Sequence, residues 1–235
     1  MMNLWIFDSG FIFLVLPAMA FALYAQAKVK STYNRYAKVA ARGRISGAQV
    51  ARDLLEHAGV SNVSVRQTPG ELTDHYDPRS REVKLSPQIF QGNSLAALGI
   101  AAHEVGHALQ HNDGYAPLAI RNSIVPLAGV GSRAAFPLFF IGFLFSAGTG
   151  EFGILLMDIG IVVFSFAVLF QIVTLPVEFN ASNRAIASLG GGGYLEGREL
   201  DGAKAVLNAA ALTYVAAMAV SLAHLFRMIL LRGRN

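Results

Sequence analysis

Residues 94–111 read Ser-Leu-Ala-Ala-Leu-Gly-Ile-Ala-Ala-His-Glu-Val-Gly-His-Ala-Leu-Gln-His, a largely apolar run that is typical of one continuous helix. Asn93 or Ser94 can cap the start of this helix, and Asn112-Asp113-Gly114 can end it. The pattern His-Glu-x-x-His at residues 103–107 is therefore predicted to lie in the middle of a helix.

The spacing of this motif predicts a metal site. On a helix, His103 and His107 lie on one face, one turn apart, where both imidazoles can reach a single Zn²⁺. Glu104 projects beside them and can take a proton from a water at the metal without binding the ion itself. The motif is that of a zinc metallopeptidase; the alternative is a pair of buried histidines that pack without a metal.

Composition places the motif in a membrane protein. Of the 235 residues, 54% are hydrophobic and only 14% are charged, which is too apolar for an ordinary soluble domain. The apolar residues form four blocks, each long enough to cross about 30 Å of hydrocarbon as a helix. These blocks are Leu4–Ala25, Ile124–Ser146, Phe152–Leu175 and Ala205–Leu231. We expect a mainly α integral membrane protein with about four transmembrane helices.

The blocks suggest a division of the chain into three parts. No positive charge precedes the first block, and Asp8 lies within it, unlike a secretory signal, so residues 1–27 are expected to be a retained anchor. Residues 28–120 contain the motif helix and are expected to form a small α+β, zincin-like unit. Residues 121–235 supply the remaining membrane helices and include a polar segment, 176–204.

The distribution of Lys and Arg predicts the orientation. Twelve of these residues lie between the first and second blocks, whereas Met1–Asn3 and Gly148–Glu151 carry none, so the motif unit should face the cytoplasm. With four alternating spans, three arginines near the C-terminus would lie outside the cell, against this bias. A last helix that lies along the membrane interface would remove the conflict. The basic residues adjoin a span and form no recognition motif, so we expect a lipid bilayer and no nucleic acid as partner. Arg133 and Asp158 lie within proposed spans and could pair.

The segment before the motif helix predicts a small sheet. Ser46–Gly59 has the pattern of an amphipathic helix, Asn62–Gln67 and Glu82–Ser86 alternate as strands, and Asp77-Pro-Arg-Ser80 is a turn sequence. Two roles are open for Glu82–Ser86. It is either an edge strand that binds the substrate backbone by strand addition, or an internal strand that supports the motif helix.

A catalytic zinc site needs a third protein ligand, and the chain has no cysteine to provide it. His111 lies two turns beyond His103 on the same helix, too far to share one ion. Asp113 has the spacing of a third ligand in some zinc proteases, but Gln110 stands where those chains have a helix-breaking glycine. Glu178, directly after the third block and Pro176, is the better candidate; alternatively it pairs with Arg184 or caps a helix.

Four strings resemble a known family: Thr73–Pro87, Ala101–His111, Leu175–Ala185 (Leu-Pro-Val-Glu-Phe-Asn-Ala-Ser-Asn-Arg-Ala) and Val206–Ala216. They look like the YugP-type neutral zinc metallopeptidases of bacterial membranes over nearly the whole chain. More distantly, the order of motif helix and later Glu is similar to the HtpX-type quality-control proteases, in which that Glu binds zinc. The resemblance implies a membrane zinc protease in protein quality control, with Glu178 as the third ligand.

The resemblance to the HtpX type has one departure. Those proteins carry an Asp four residues after the ligand Glu, where this chain has Ser182. The carboxylate that would orient a ligand histidine is therefore missing. Asn180, Asn183 or Arg184 is expected to orient the site instead.

The expected function is a gluzincin-like, zinc-dependent endopeptidase acting on a peptide or membrane-protein substrate, with Glu104 as general base. The oxyanion needs a hydrogen-bond donor, for which Tyr76 and His75 are the first candidates and Arg184 the next. A catalytically idle zinc-binding chaperone or regulator is the alternative function. A transporter is disfavoured, because the chain lacks the broken helices and paired repeats of that class.

Overall fold

The computed structural model describes residues 8–234, with side chains except at residues 147–149, and it is mainly helical. Residues 1–7, which include the start of the predicted span Leu4–Ala25, lie outside the described residues. The helices are α1 (Leu16–Tyr36, after a π-helical turn at Phe11–Val15), α2 (Gly47–His57), α3 (Pro87–Gln91), α4 (Leu95–Asn112), α5 (Ala116–Thr149), α6 (Glu151–Gly191) and α7 (Arg198–Arg232). The strands are β1 (Ser64–Gln67), β2 (His75–Asp77) and β3 (Glu82–Leu85).

Four of the described helices are long and apolar enough to cross a membrane, which confirms the predicted number of spans. They are Phe11–Tyr36, Ala116–Ser146, Glu151–Gly191 and Arg198–Arg232. The third is much longer than its predicted apolar block, because α6 continues through Pro176 to Gly191. The polar segment after Leu175 is therefore a direct helical extension of a candidate span.

Contacts divide the chain into two compact units. The motif unit comprises residues 26–119 and 176–212, so it contains α2 to α4, the sheet and the extension of α6. The apolar unit comprises residues 120–175 and 213–235 together with the described part of residues 1–25. The motif helix and the segment that carries Glu178 thus belong to the same unit, although about 70 residues separate them in the chain.

The core of the motif unit lies between α2, α4 and the sheet. Ser46 caps α2 by accepting a hydrogen bond from the Gln49 N–H, and the predicted apolar face is buried at Val50, Leu54 and Leu55. Gly59 follows with φ +69°, a conformation that L side chains rarely adopt. The amphipathic helix predicted at Ser46–Gly59 is therefore confirmed.

The sheet has the order β1-β3-β2, with β1 parallel and β2 antiparallel to β3. The predicted small sheet and the internal-strand alternative for Glu82–Ser86 are confirmed, whereas the alternative of a substrate-binding edge strand is wrong. β3 is the central strand, its backbone pairs on both sides, and Val83 and Leu85 are fully buried. The crossover that brings β1 parallel to β3 buries this strand, and β1 and β2 form the edges.

The predicted ends of the motif helix are confirmed. The Ser94 hydroxyl accepts a hydrogen bond from the Ala97 N–H and caps α4, and Gly114 follows its last turn with φ +63°. Much of α4 consists of small residues, which lets neighbouring elements pack closely against it. Its buried residues lie on several faces of the helix. This helix is the central element of the motif unit.

The apolar unit is held by close helix contacts and by ion pairs. A Cβ on Gly142 of α5 would lie 2.6 Å from the Gly153 carbonyl oxygen of α6, so these backbones touch. Arg232 pairs with Asp158 at 2.8 Å, so the pairing of Asp158 with Arg133 suggested by the sequence is wrong. Arg227 likewise pairs with Asp8 at 2.8 Å.

Candidate metal centre

α4 presents the two motif histidines side by side, as their four-residue spacing predicts. The ring centroids of His103 and His107 are 4.7 Å apart, and the rings meet edge to face. Only 15% and 11% of their side-chain surfaces are exposed. Glu104 is buried next to them, and its charge acts on the His107 ring. The helix alone thus brings two imidazoles and one carboxylate into one buried region.

α6 adds the third group. Glu178 Oε2 lies 3.3 Å from His103 Nε2 and 3.5 Å from His107 Nε2, and the Glu178 side chain is only 5% exposed. One ligand atom from each of these three residues lies within 4.8 Å of the others, so the group could hold a metal ion. Arg184 forms its ion pair with Asp113, so the alternative partner suggested for Glu178 is engaged elsewhere.

The spacing of these atoms fits zinc. Ligand atoms at about 2.0–2.1 Å from a tetrahedral Zn²⁺ lie roughly 3.3–3.4 Å from one another. The two separations from Glu178 Oε2, 3.3 and 3.5 Å, are close to this value, and all three ligand atoms lie within 4.8 Å of one another. Two imidazole nitrogens and one carboxylate oxygen are also ligands that zinc accepts, and they leave a fourth position for water.

The electrostatics of the group favour a cation. Burial lowers the pKa of the His107 imidazole, but its hydrogen bond to Glu178 and the charges of Glu104 and Glu178 outweigh burial and raise that pKa above its usual value. Two carboxylates therefore stabilise positive charge in a region from which water is largely excluded. A divalent ion at this point would meet the same attraction.

Gly106, inside the motif, allows α6 to approach. A Cβ at this position would lie 2.5 Å from the Ala181 carbonyl oxygen and 3.1 Å from the Ala181 Cα. Ala181 lies one turn after Glu178, so the two backbones touch where the carboxylate reaches the histidines. The glycine of His-Glu-Val-Gly-His thus sets the distance between the two helices that form the site.

The two less favoured candidates for the third zinc ligand, His111 and Asp113, have partners other than the motif histidines. His111 Nδ1 is 2.7 Å from the Tyr76 hydroxyl, and the two rings are 5.8 Å apart. Asp113 pairs with Arg184, whose guanidinium holds the pKa of that carboxyl below its usual value. Both residues are polar neighbours of the site in sequence, and each is engaged with a residue from another element.

The two oxyanion candidates point in different directions. Tyr76 faces α4 through its contact with His111, and burial raises the pKa of its phenol, so the hydroxyl keeps its proton. His75 is its neighbour on β2, and adjacent strand residues face opposite sides of a sheet. Its Nδ1 lies 2.7 Å from the Thr73 carbonyl oxygen, and the side chain is exposed. The structure therefore brings Tyr76, and not His75, to the motif helix.

Ser182, which was not among the residues expected to orient the site, contacts a motif histidine. Ser182, where the HtpX type has Asp, places its hydroxyl oxygen 3.2 Å from His103 Nδ1. Asn180 and Arg184 hydrogen-bond with each other, whereas Asn183 is exposed. Sequence reasoning missed Gln110, which is fully buried and contacts His107 Nδ1 at 3.0 Å. Its position three residues after His107, on the same helical face, was the signal that could have found it.

Comparisons with known proteins agree with the geometry. A family model described as "Putative neutral zinc metallopeptidase" matches residues 11–233. A relative from Bacillus subtilis (strain 168), named "Putative membrane protease YugP", is 45% identical over 227 residues, which are 96% of this chain and 98% of the relative. No solved structure gives a significant match. Both matches cover α4 and α6, which form the candidate site.

Proposed function

The chain belongs to the neutral zinc metallopeptidase family, and on this premise we propose that it is a membrane-embedded zinc endopeptidase whose metal is held by His103, His107 and Glu178. The convergence of Glu178 Oε2 with both Nε2 atoms is the observation that carries the proposal. It brings one ligand atom from each of three residues within 4.8 Å of the others, from two helices that are far apart in the chain, and both distances to Glu178 Oε2 fit zinc.

Glu104 is proposed as the general base. When bound at this site, zinc polarises the carbonyl of the scissile bond and lowers the pKa of a water toward about 7. Glu104 takes the proton of that water as the water oxygen bonds to the carbonyl carbon. It then donates the proton to the leaving nitrogen as the C–N bond breaks. The buried position of Glu104 beside His107 suits both steps, since few competing waters reach it.

Tyr76 is proposed to donate a hydrogen bond to the oxyanion, ahead of His75. Its hydroxyl stays protonated because burial raises its pKa, and its contact with His111 holds it against the motif helix. His75 faces the other side of the sheet, and this supports the preference for Tyr76.

The substrate backbone is proposed to bind at β2, in place of β3. β2 is an edge of the described sheet, and Tyr76 connects it to α4. Extended peptides bind such edges by adding a strand. A photo-crosslinker at His75 should capture a bound substrate peptide, and one at Arg66 on the opposite edge should not. Equal capture at both positions would contradict this placement.

The motif unit is proposed to be a zincin-like unit that faces the cytoplasm, where an endopeptidase of this kind would remove unfolded membrane proteins in quality control. Twelve basic residues between the first two apolar blocks of the sequence, Leu4–Ala25 and Ile124–Ser146, support this orientation. A reporter fused after Arg42 or within residues 190–193 should be cytoplasmic. Labelling of either site from outside intact cells would place catalysis on the other face of the membrane.

The central experiment compares the purified wild type with Glu104→Gln in detergent, using an unfolded membrane protein as substrate. Gln keeps the shape of Glu104 but cannot accept the proton, so turnover should fall by about 10²- to 10⁴-fold while zinc is retained. Undiminished cleavage by the variant would remove Glu104 from the mechanism. A wild type that holds zinc and cleaves nothing would favour the idle chaperone or regulator.

A further inference from the structure

Gln110 is a buried amide with three polar partners at the metal centre. It lies one turn beyond His107 on α4 and has no exposed surface. Its Oε1 is 3.0 Å from His107 Nδ1, and its Nε2 donates to the Val177 carbonyl oxygen at 2.8 Å and to Asn180 Oδ1 at 2.9 Å. The side chain therefore connects a motif histidine to the extension of α6.

The partners of Gln110 determine which way its amide faces. The Val177 carbonyl oxygen can only accept, so it requires the NH₂ group. Asn180 Oδ1 is identified as an oxygen because Arg184 Nε, which can only donate, binds it at 2.9 Å. Both contacts turn Nε2 toward α6, which leaves Oε1 as the atom that faces His107.

Arg184 anchors this chain of hydrogen bonds at its far end. Its guanidinium pairs with Asp113, the residue that ends α4, and so it returns from α6 to the motif helix. The sequence Asp113, Arg184, Asn180, Gln110, His107 runs from a charged pair near the surface to a buried imidazole. Asn180 Oδ1 accepts from both Arg184 Nε and Gln110 Nε2, so Arg184 fixes the atom that orients the Gln110 amide.

The consequence for His107 is a preferred tautomer for metal binding. An amide oxygen can only accept, so the bond to Gln110 forms when His107 Nδ1 carries a proton. Glu178 Oε2 faces Nε2 and is also an acceptor, so without a metal the two acceptors compete for the proton of the neutral imidazole. A cation bound by Nε2 and Oε2 would leave Gln110 as the proton's acceptor and the Nε2 lone pair for the ion. His103 differs, because Nδ1 faces the Ser182 hydroxyl, which can either donate or accept and does not select a tautomer alone.

We propose that Gln110 is a positioning residue, which keeps the His107 proton on Nδ1 and directs the Nε2 lone pair at the zinc. The proposal rests on the proposed zinc site and names the residue that orients its second histidine. Outer partners of ligand histidines generally contribute about 10- to 100-fold to metal affinity. Here the partner is a neutral amide whose orientation is determined by α6, so the helix that supplies Glu178 also aligns His107.

Two variants separate this role from a simple clamp between helices. Gln110→Leu removes the acceptor toward His107 and the donors toward α6. Gln110→Glu keeps an oxygen toward His107 but loses both donors. If Gln110 positions His107, zinc binding should be about 10- to 100-fold weaker in Gln110→Leu and less weakened in Gln110→Glu. If Gln110 only holds the two helices together, Gln110→Glu should weaken zinc binding at least as much as Gln110→Leu, because its carboxylate would face two acceptor oxygens. Gln91→Leu, at an exposed glutamine of α3, is the control.

The tautomer is measured directly by nitrogen-15 NMR of histidine-labelled full-length protein in detergent, metal-free, at alkaline pH and in a Glu178→Ala background, which removes the carboxylate that competes for a proton at Nε2. With Glu178→Ala alone, or together with Gln91→Leu, His107 should be protonated on Nδ1, and Gln110→Leu in this background should show a mixture. Protonation on Nε2 with Glu178→Ala alone would overturn the proposal. So would a tautomer unchanged by Gln110→Leu in this background, an unchanged zinc affinity of Gln110→Leu in the otherwise wild-type protein, or equal zinc loss in the Leu and Glu variants. Because the NMR measurement needs no metal, a wild type that fails to bind zinc would refute the proposed function separately.

Discussion

The motif unit and the apolar unit use their charged and polar side chains in opposite ways. In the apolar unit, charges form separate pairs, Asp8 with Arg227 and Asp158 with Arg232, and each pair is neutral by itself. In the motif unit, His103, His107 and Glu178 converge on one point, with Glu104 beside them. Separate ion pairs stabilise helix packing, whereas a convergent group with excess negative charge can bind a cation. The difference supports the proposed metal site in the motif unit.

Glycines bring helices together in both units, with different consequences. In the apolar unit, Gly142 and Gly153 let α5 and α6 touch over an apolar surface. In the motif unit, Gly106 lets α4 touch Ala181 one turn from Glu178. The first contact contributes to packing alone. The second also sets the distance between metal ligands, so a substitution there should affect the site before it affects the fold.

Of the substitutions that test this comparison, Gly106→Ala should disturb the geometry of the metal site most. The added Cβ would meet backbone at 2.5 Å, so α6 must shift and Glu178 must move away from the histidines. We expect zinc affinity to fall at least about tenfold, with a corresponding loss of proteolysis. Gly129→Ala, where a Cβ meets nothing within 4 Å, is the control. Equal zinc affinity in both variants would show that the helix contact does not set the site.

Tyr76→Phe should lower turnover and leave zinc in place. The variant loses the donor proposed for the oxyanion, and removal of such donors costs about 10²- to 10³-fold in turnover. Tyr194→Phe is a matched control, because Tyr194 also contacts a histidine, His57, at 3.4 Å on the exposed side of the same unit. A loss of similar size in both variants, measured with one peptide substrate, would indicate a structural role for tyrosine–histidine pairs.

Removal of a charge in the apolar unit should have the smallest effect on zinc binding. Asp8→Asn takes the carboxylate from a pair whose side chains are about one-tenth exposed, and breaking such pairs costs about 3–5 kcal/mol of stability. Asp158→Asn affects a half-exposed pair and should lower the melting temperature less. Zinc affinity in detergent should be unchanged in both. A tenfold loss of zinc in either variant would break the distinction between the units.

The sequence predicted most of the elements because their signals are local. The four apolar blocks, the Ser46 and Ser94 caps and the four-residue spacing of the motif depend on neighbours within one or two helical turns. The resemblance to the YugP type is confirmed by the comparisons. The sequence left open whether β3 is an edge strand or an internal strand, because strand order depends on a crossover that no local pattern specifies.

The site was predictable in part for the same reason. His103 and His107 follow from helix geometry, whereas Glu178 was placed near them through its position after a span and a family resemblance. Gln110 was missed, because a polar residue near the end of a helix is ordinarily solvated. Only the packing of the α6 extension shows that it is buried and that its amide has three partners. Residues that orient ligands depend on tertiary contacts, which a linear motif does not contain.

The central claim is that two carboxylates in one buried region have different roles, Glu178 as metal ligand and Glu104 as base. The most direct test measures zinc per chain in Glu178→Gln and Glu104→Gln, two identical chemical changes, purified beside the wild type. Glu178→Gln removes one of only three protein bonds to the ion and should lose zinc strongly. Glu104→Gln should retain about one zinc per chain, as the wild type does. Equal zinc in the two variants, or loss from Glu104→Gln alone, would contradict the account.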